Sequence, residues 1–173
     1  MPVPVTHKPN NKKGEILCYK VKTGKCQYAG QINPSLENHK KMKYKIGTKE
    51  KPMKLKTPPL SSDYTMHTEE KDGKEILVCT VGKTILHYDA KCLDDLHAML
   101  KKHGDWMDLG SADEQKPAKE GTVEAWRRSP KNPVGGWYGL KKGFRGRFGM
   151  YIPPLMEALG LAQLTHYAKN NKM

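Results

Sequence analysis

Residues 64–104 read YTMHTEEKDGKEILVCTVGKTILHYDAKCLDDLHAMLKKHG, and this stretch decides the fold. Two runs rich in apolar and β-branched residues, 64–70 and 74–81, flank Asp72-Gly73. An Asp-Gly pair supplies the positive φ angles that a tight hairpin turn needs. A second glycine turn precedes another short run at 84–88. The pattern therefore predicts three consecutive antiparallel strands.

A helix is predicted directly after the third strand. Asp89 is a suitable N-cap, basic residues end the pattern, and Gly104 stands where a C′ glycine is expected. Apolar side chains recur between them at helical spacing: Leu93, Leu96, Met99 and Leu100. The helix should span about 90–103, and burial of each apolar side chain should contribute about 1.5–3 kcal/mol before entropy costs.

The C-terminal part contains a linker, a glycine-rich basic loop and a helix-strand unit. Residues 105–120 are acidic and contain a proline, and they mark a possible sub-boundary. A short helix is predicted at 123–128. Pro153-Pro154 suits the opening of a last helix at 155–159, because proline is tolerated in a first turn. The alternation at 161–167 predicts a final strand.

The N-terminal part is less strongly patterned. Residues 1–13 are polar and proline-rich, and we expect a flexible arm there, followed by a single domain at 14–173. The runs 15–21 and 26–32 predict a hairpin. Lysines dominate 40–56, where alternation with apolar residues suggests an edge strand or an extended arm.

The predicted fold class is therefore α+β. An antiparallel β-meander would pack on one main helix, with a glycine-rich basic loop and a C-terminal helix-strand unit. The length of 173 residues suits such a domain without metal or disulfide support. The cysteines form no C-x-x-C pair and mostly lie in apolar runs, which favours reduced, buried thiols: Cys18, Cys26, Cys79 and Cys92.

Charge is the strongest indication of a partner. The formal net charge is +13, and it is unevenly distributed. Two basic regions, 1–56 and 121–173, bracket an acidic middle, and the sequence does not tell whether they meet on one face. We expect a cytoplasmic protein, since no secretory signal and no membrane-length apolar run occurs.

The candidate binding stretch is 126–151. All four arginines lie in it, together with two tryptophans, both phenylalanines and six glycines. Arginine binds phosphate bidentately and stacks on bases, and aromatic rings stack as well. The rings are more typical of core anchors, whereas the arginines have only one acid nearby in sequence, Glu124. The predicted nucleic-acid-binding residues are Arg127, Arg128, Lys141, Lys142, Arg145, Arg147, Trp137 and Phe144.

Three functional hypotheses follow. The first is non-catalytic binding of DNA or RNA, with no cofactor, no metal and no catalytic residue. The second is a metal-dependent enzyme acting on a phosphorylated or nucleic-acid substrate, with carboxylate ligands drawn from Asp63, Glu69, Glu70 and Glu75. The third is a protein-interaction module or an oligomer subunit, with a homodimer as one form, that uses exposed aromatic side chains.

Overall fold

The computed structural model describes residues 44–173 in full and, among the first 43, the backbone of three short strands. These strands are β1 (Pro4–Thr6), β2 (Leu17–Lys20) and β3 (Cys26–Tyr28), and they form an antiparallel sheet in the order β1-β2-β3. The predicted N-terminal hairpin is confirmed, because Tyr19 of β2 pairs with Gln27 of β3. Lys40, Lys41 and Lys43 lie outside the described residues.

The chain forms two compact units, Met1–Lys43 and Tyr44–Met173. The 105–120 segment lies inside the second unit. That unit contains β4 (Met53–Lys56), β5 (Asp63–Lys71), β6 (Lys74–Val81), β7 (Thr84–Asp89), α1 (Cys92–His103), α2 (Val123–Trp126) and α3 (Phe148–Ala158). The α+β class is confirmed.

The four-stranded sheet is antiparallel throughout, in the order β4-β5-β6-β7. Asp72 and Gly73 have φ angles of 52° and 71°, so both residues of the β5–β6 turn adopt the left-handed conformation that the Asp-Gly pair predicted. Met66, Cys79 and Leu86 are partners across β5, β6 and β7, and all three are buried. This face of the sheet therefore forms one side of the core.

Two helices complete that core. Leu93 and Leu96 of α1 are fully buried in it. α3 contributes even more, because most of its side chains are buried and two of its rings pack edge-on against strand tyrosines. Tyr151 lies 5.1 Å from Tyr64 between ring centroids, and Phe148 lies 5.6 Å from Tyr88. The predicted main helix is thus joined in the core by a second helix, α3, which is longer than the short C-terminal helix that was expected.

The boundaries of α1 are close to the predicted ones. Its first residue is Cys92, and the carboxylate of Asp89 accepts a hydrogen bond from the Lys91 N–H just before the helix (2.9 Å). At the other end Gly104 has φ 73° and its N–H donates to Leu100 O, so the glycine C-cap is confirmed.

The predicted start of the last helix at residue 155 is wrong, since α3 begins at Phe148 and contains both prolines. Arg147 adopts a left-handed conformation (φ 52°) that turns the chain into the helix. Gly149 lies in the first turn, where an added Cβ would overlap the carbonyl oxygens of Leu109 and Gly110. Close approach of the 109–110 backbone therefore requires a glycine there.

The predicted strand at 161–167 is also wrong. The chain turns back on itself instead, and the Thr165 N–H donates to Lys172 O (3.0 Å). The last residues then pair with the segment that follows α1, because Met173 and Met107 exchange two backbone hydrogen bonds of 3.0 and 2.8 Å. Apolar and polar residues do alternate at 161–167, but these residues lack the backbone pairing of a regular strand.

Candidate functional site

The short helix α2 places one acid and two arginines on the same side. The Thr122 hydroxyl accepts a hydrogen bond from the Ala125 N–H (3.1 Å) and so caps the helix at its N-terminus. Glu124 follows in the first turn, and Arg127 and Arg128 lie three and four residues further on. Residues at these spacings are neighbours on a helical surface, so both guanidinium groups reach the same carboxylate.

Glu124 is fully buried and joins three segments. Its Oε1 accepts hydrogen bonds from Arg127 Nε and Nη2 (2.9 and 2.6 Å) and from Arg128 Nε and Nη2 (3.1 and 2.7 Å). Its Oε2 accepts the N–H of Gly149 in the first turn of α3 (2.7 Å). A single carboxylate thus binds two guanidinium groups, which leaves the cluster with one excess positive charge, and it also accepts an N–H in the first turn of α3.

Arg127 is the largest fully buried side chain of the described residues. Burial lowers the pKa of its guanidinium, and the neighbouring charge of Glu124 acts in the opposite direction. Its Nη1 is buried without a hydrogen-bond partner, the one such side-chain atom in residues 44–173. Arg127 is therefore a structural cation with no surface available for a polyanion.

Trp137 is the common platform for three guanidinium groups. The Cζ atoms of Arg127, Arg128 and Arg145 lie 4.3, 4.6 and 4.1 Å from its ring centroid. Such cation–π contacts contribute about 0.5–2 kcal/mol each. The indole is only partly exposed, and it anchors these guanidinium groups rather than the hydrophobic core.

The two remaining arginines pair with acids from the segment before α2. We call Asp113 and Glu114 the acidic clamp. Arg145 Nε lies 2.8 Å from Glu114 Oε1, and Arg147 Nε lies 2.6 Å from Asp113 Oδ1. Glu114 Oε2 also accepts the N–H of Gly143 (2.7 Å). The acidic clamp thus contacts the C-terminal half of the glycine-rich loop.

The expectation that the arginines lack internal partners is therefore wrong. Arg128 donates to the carbonyl oxygens of Lys116, Ala112 and Asp113 (2.6, 2.8 and 3.1 Å) as well as to Glu124. The clamp acids lie 31 and 34 residues before the arginines that they bind. No pattern in the sequence links residues at such separations, and only the fold brings them together.

The acidic clamp has electrostatic consequences for both partners. The hydrogen bond from Arg147 is the main cause that lowers the pKa of Asp113, and Asp113 in turn raises the pKa of Arg147. For Glu114, burial would raise the pKa, but hydrogen bonds from Arg145 and Gly143 outweigh it and the pKa is lowered.

We expect the clamp to make stability depend on acid pH. Carboxylates whose pKa is lowered by folding stabilise the protein above their unfolded pKa, and that stabilisation disappears as the pH falls through the folded pKa. The melting temperature of the protein should thus fall more steeply below about pH 4 than that of Asp113→Asn/Glu114→Gln. Thermal unfolding between pH 7 and pH 3 measures this, and parallel curves for the two proteins would contradict it.

The part of the loop that remains accessible is its tip. We call residues 137–147 the basic loop. Lys141 and Lys142 are exposed, and Phe144 is 39% exposed with Lys141 Nζ 4.8 Å from its ring centroid. The Arg147 side chain is half exposed despite its bond to Asp113. The basic loop contains no acid of its own.

The basic loop is fixed against the outer edge of β7. His87 donates its N–H to Phe144 O (3.2 Å) and accepts the N–H of Leu140 at its carbonyl (3.1 Å). Gly139, which forms an isolated bridge with Tyr88, lies so close to Arg145 that an added Cβ would overlap that side chain. Backbone hydrogen bonds thus fix the conformation of the basic loop.

A cleft of about 690 Å³ lies between the basic loop, the acidic clamp and the sheet. Its lining combines cations, acids, an indole and apolar strand residues: Val81, Thr84, Leu86, Asp113, Glu114, Gln115, Trp137, Lys142, Gly143, Arg145, Gly146, Arg147 and Tyr151. Four of the eight predicted binding residues meet in this lining, and Phe144 and Lys141 lie on the adjoining tip. Arg127 and Arg128 are behind Trp137.

A family model matches residues 45–173, the whole of the second unit except its first residue. The model is described as a family of unknown function (DUF6855). The chain belongs to this family. No curated protein and no solved structure matches the chain. The family is thus defined over the unit that contains the cleft, and its description assigns no activity.

The lysines of β4 do not join this surface. Lys54 and Lys56 are exposed on β4, at the opposite edge of the sheet from β7. Three strand spacings of about 4.8 Å therefore separate β4 from β7, and the basic loop lies beyond β7. Lys56 is also paired with Asp63 (2.8 Å). Lys54 and Lys56 therefore lie apart from the basic loop.

The four carboxylates considered as metal ligands do not form one cluster, although Glu70 and Glu75 are register partners across β5 and β6. Asp63 begins β5 and Glu70 lies near its end, about 20 Å away at the usual rise per strand residue. Glu69 pairs with His67 (3.1 Å). Among residues 44–173 no group of three or more His, Cys, Asp or Glu side chains could hold a metal ion.

The two cysteines of the second unit are free and buried. Burial raises the pKa of Cys79 to about 12, and burial also raises the pKa of Cys92 well above the ordinary thiol value. Both thiols therefore act as small apolar side chains of the core. Across the described part of the chain, no helix combines the length and the apolar character that a membrane crossing requires.

Proposed function

We propose that the protein binds nucleic acid without catalysing a reaction, through the tip of the basic loop and the adjoining cleft. The observation that carries the proposal is the joint exposure of Lys141, Lys142 and Phe144 beside a cleft walled by Arg145 and Arg147. Lysines attract the phosphate backbone, arginines hold phosphate oxygens, and an exposed ring can stack on a base.

The exposed ring favours single-stranded substrates. A base can stack on Phe144 only if it is not already stacked in a duplex, and such stacking contributes about 1–3 kcal/mol per base. The Lys141 ammonium beside the ring would neutralise the phosphate that follows the stacked base. A location in the cytoplasm is part of the proposal, since free cysteines are typical of reducing compartments.

The buried arginines have a supporting role in this proposal. Arg127 and Arg128 both bind Glu124, which also binds α3, and Arg128 binds the clamp segment. The Trp137 ring contacts both of these arginines and Arg145. The binding residues are thus fewer than the eight predicted from the sequence: Lys141, Lys142, Phe144, Arg145 and Arg147. Trp137 contributes the floor of the cleft.

Fluorescence anisotropy with labelled 20-nucleotide DNA, RNA and duplex DNA at 50 and 200 mM salt tests the proposal. We expect Lys141→Ala/Lys142→Ala to weaken single-strand binding about tenfold at 50 mM salt and to reduce the salt slope by about 1.4, since each phosphate contact on a single strand contributes about 0.7. We expect Phe144→Ala to weaken it at least fivefold through lost stacking.

Two matched controls make the result specific. Lys101→Ala/Lys102→Ala removes the same charge from the end of α1, and Tyr167→Ala removes a ring that is 65% exposed elsewhere. Both should leave the affinity within about twofold of the unchanged protein. No binding at 50 mM salt, or equal losses in the loop and control variants, would overturn the proposal.

A further inference from the structure

The Glu114 carboxylate occupies an anion site. One oxygen accepts Arg145 Nε (2.8 Å) and the other accepts the Gly143 N–H (2.7 Å). A guanidinium and a backbone N–H that converge on one group are a common way for proteins to hold a phosphate. Lys142 lines the same cleft. The carboxylate thus stands where a phosphate of a bound strand would find its best donors.

Asp113 pairs with the neighbouring arginine. Its carboxylate lies 2.6 Å from Arg147 Nε, and the two side chains are 48% and 49% exposed. Exposed ion pairs of this kind contribute only about 0–1 kcal/mol. Exchange of Asp113 for a phosphate oxygen would therefore cost little, because a phosphodiester offers the same guanidinium a partner of equal charge.

The clamp segment is attached to the protein mainly through its backbone. Arg128 donates to the carbonyl oxygens of residues 112, 113 and 116, and the Arg147 N–H donates to Ala112 O (3.2 Å). None of these bonds uses a clamp carboxylate. The two side chains can therefore leave the arginines, or lose their charge, while the segment keeps its place.

We propose that the acidic clamp is a built-in competitor: Asp113 and Glu114 occupy the phosphate positions of Arg145 and Arg147, and nucleic acid binds by displacing them. This inference rests on the proposed function of the basic loop. As a consequence, the unmodified protein should bind nucleic acid more weakly than a variant without the clamp charges. Removal of the clamp charges frees two arginines for phosphate.

The experiment repeats the anisotropy titration with the full chain and the variants Asp113→Asn, Glu114→Gln and the double variant. The probes are labelled 20-nucleotide DNA and RNA single strands. We expect the double variant to bind about tenfold more tightly at 50 mM salt, with a salt slope steeper by about 1.4 for two added phosphate contacts. The Asp113→Asn variant alone, which changes an exposed pair, should gain two- to fivefold.

The control is Asp105→Asn/Glu120→Gln, which removes two exposed acids outside the cleft and changes the net charge equally. Circular dichroism shows whether each variant is folded, and Asp113→Asn provides the test if the double variant is not. A gain in the control equal to that in the clamp variant, or no gain at all, overturns the clamp. If the clamp variants gain nothing but Lys141→Ala/Lys142→Ala still loses affinity, the clamp proposal is wrong and the proposed function stands. If none of the proteins binds nucleic acid, both proposals are wrong.

Discussion

Replacement of Glu124 by glutamine should lower the free energy of unfolding by about 3–5 kcal/mol, because it removes one partner of a buried charge cluster. Arg127 would remain fully buried without a counter-charge, and Arg128 would lose the same carboxylate. A glutamine amide could also not accept the Gly149 N–H at the position of Oε2 while its oxygen faces the arginines.

Urea denaturation followed by circular dichroism measures this loss. Glu120→Gln is the matched control, since Glu120 is exposed four residues earlier and should change stability by less than about 0.5 kcal/mol. A second comparison isolates the stranded charge: Glu124→Gln/Arg127→Met should be more stable than Glu124→Gln alone. Equal stability of the Glu124→Gln and Glu120→Gln variants would show that the cluster does not hold these segments together.

Replacement of Trp137 by alanine should destabilise the protein by about 3 kcal/mol, the lower end of the range for large aromatic residues because the indole is partly exposed. Three guanidinium groups would lose their ring at once. Trp137→Phe keeps a smaller π face and should lose roughly half as much, whereas Trp137→Leu keeps apolar volume but no quadrupole and should be less stable than Trp137→Phe.

Trp106→Ala is the control for the tryptophan series. Trp106 is 46% exposed and makes no ring contact with a cation among those in residues 44–173, so its removal should cost less than about 1 kcal/mol. Urea midpoints and slopes for the four variants give the comparison. If Trp137→Leu equals Trp137→Phe, the ring acts by volume alone and the cation–π account is wrong.

The sequence predicted the β5–β7 strands and α1 well because their signals are local. The Asp72-Gly73 turn and the Gly104 C-cap each require a positive φ angle, and all three residues adopt one in the structure. Alternating and helical apolar patterns fixed which side chains face the core. Such signals extend over a few residues, so they survive without knowledge of the rest of the fold.

The last helix shows where local signals mislead. Pro153-Pro154 is a strong indication of a helix start, but burial of Phe148, Tyr151 and Ile152 in the core extends the helix about two turns earlier than residue 155. The Glu124 carboxylate at its N-terminus offsets part of the penalty for internal prolines. Tertiary packing therefore overrides the proline preference.

That the stretch 126–151 is a binding site stays a prediction, and the sequence did not assign roles to its residues. Density of arginine, lysine and ring residues identified 126–151, and the structure keeps much of it around one cleft. Which arginines are internal depends on Glu124, Asp113 and Glu114, and two of these acids come from a segment that reads as a linker. A single sequence contains no signal for ion pairs between residues 31 and 34 positions apart.

The attachment of the basic loop to β7 has a consequence for the solubility of the folded protein. A sheet edge with unpaired backbone groups is a template for association with other chains. The loop covers the β7 edge, where Ile85 is 45% exposed, while the edge strand β4 presents Lys54 and Lys56. One edge is shielded by backbone pairing and the other by charge. Removal of the loop would therefore expose the backbone of β7 to pairing with another chain, so we expect the basic loop to protect the protein against aggregation.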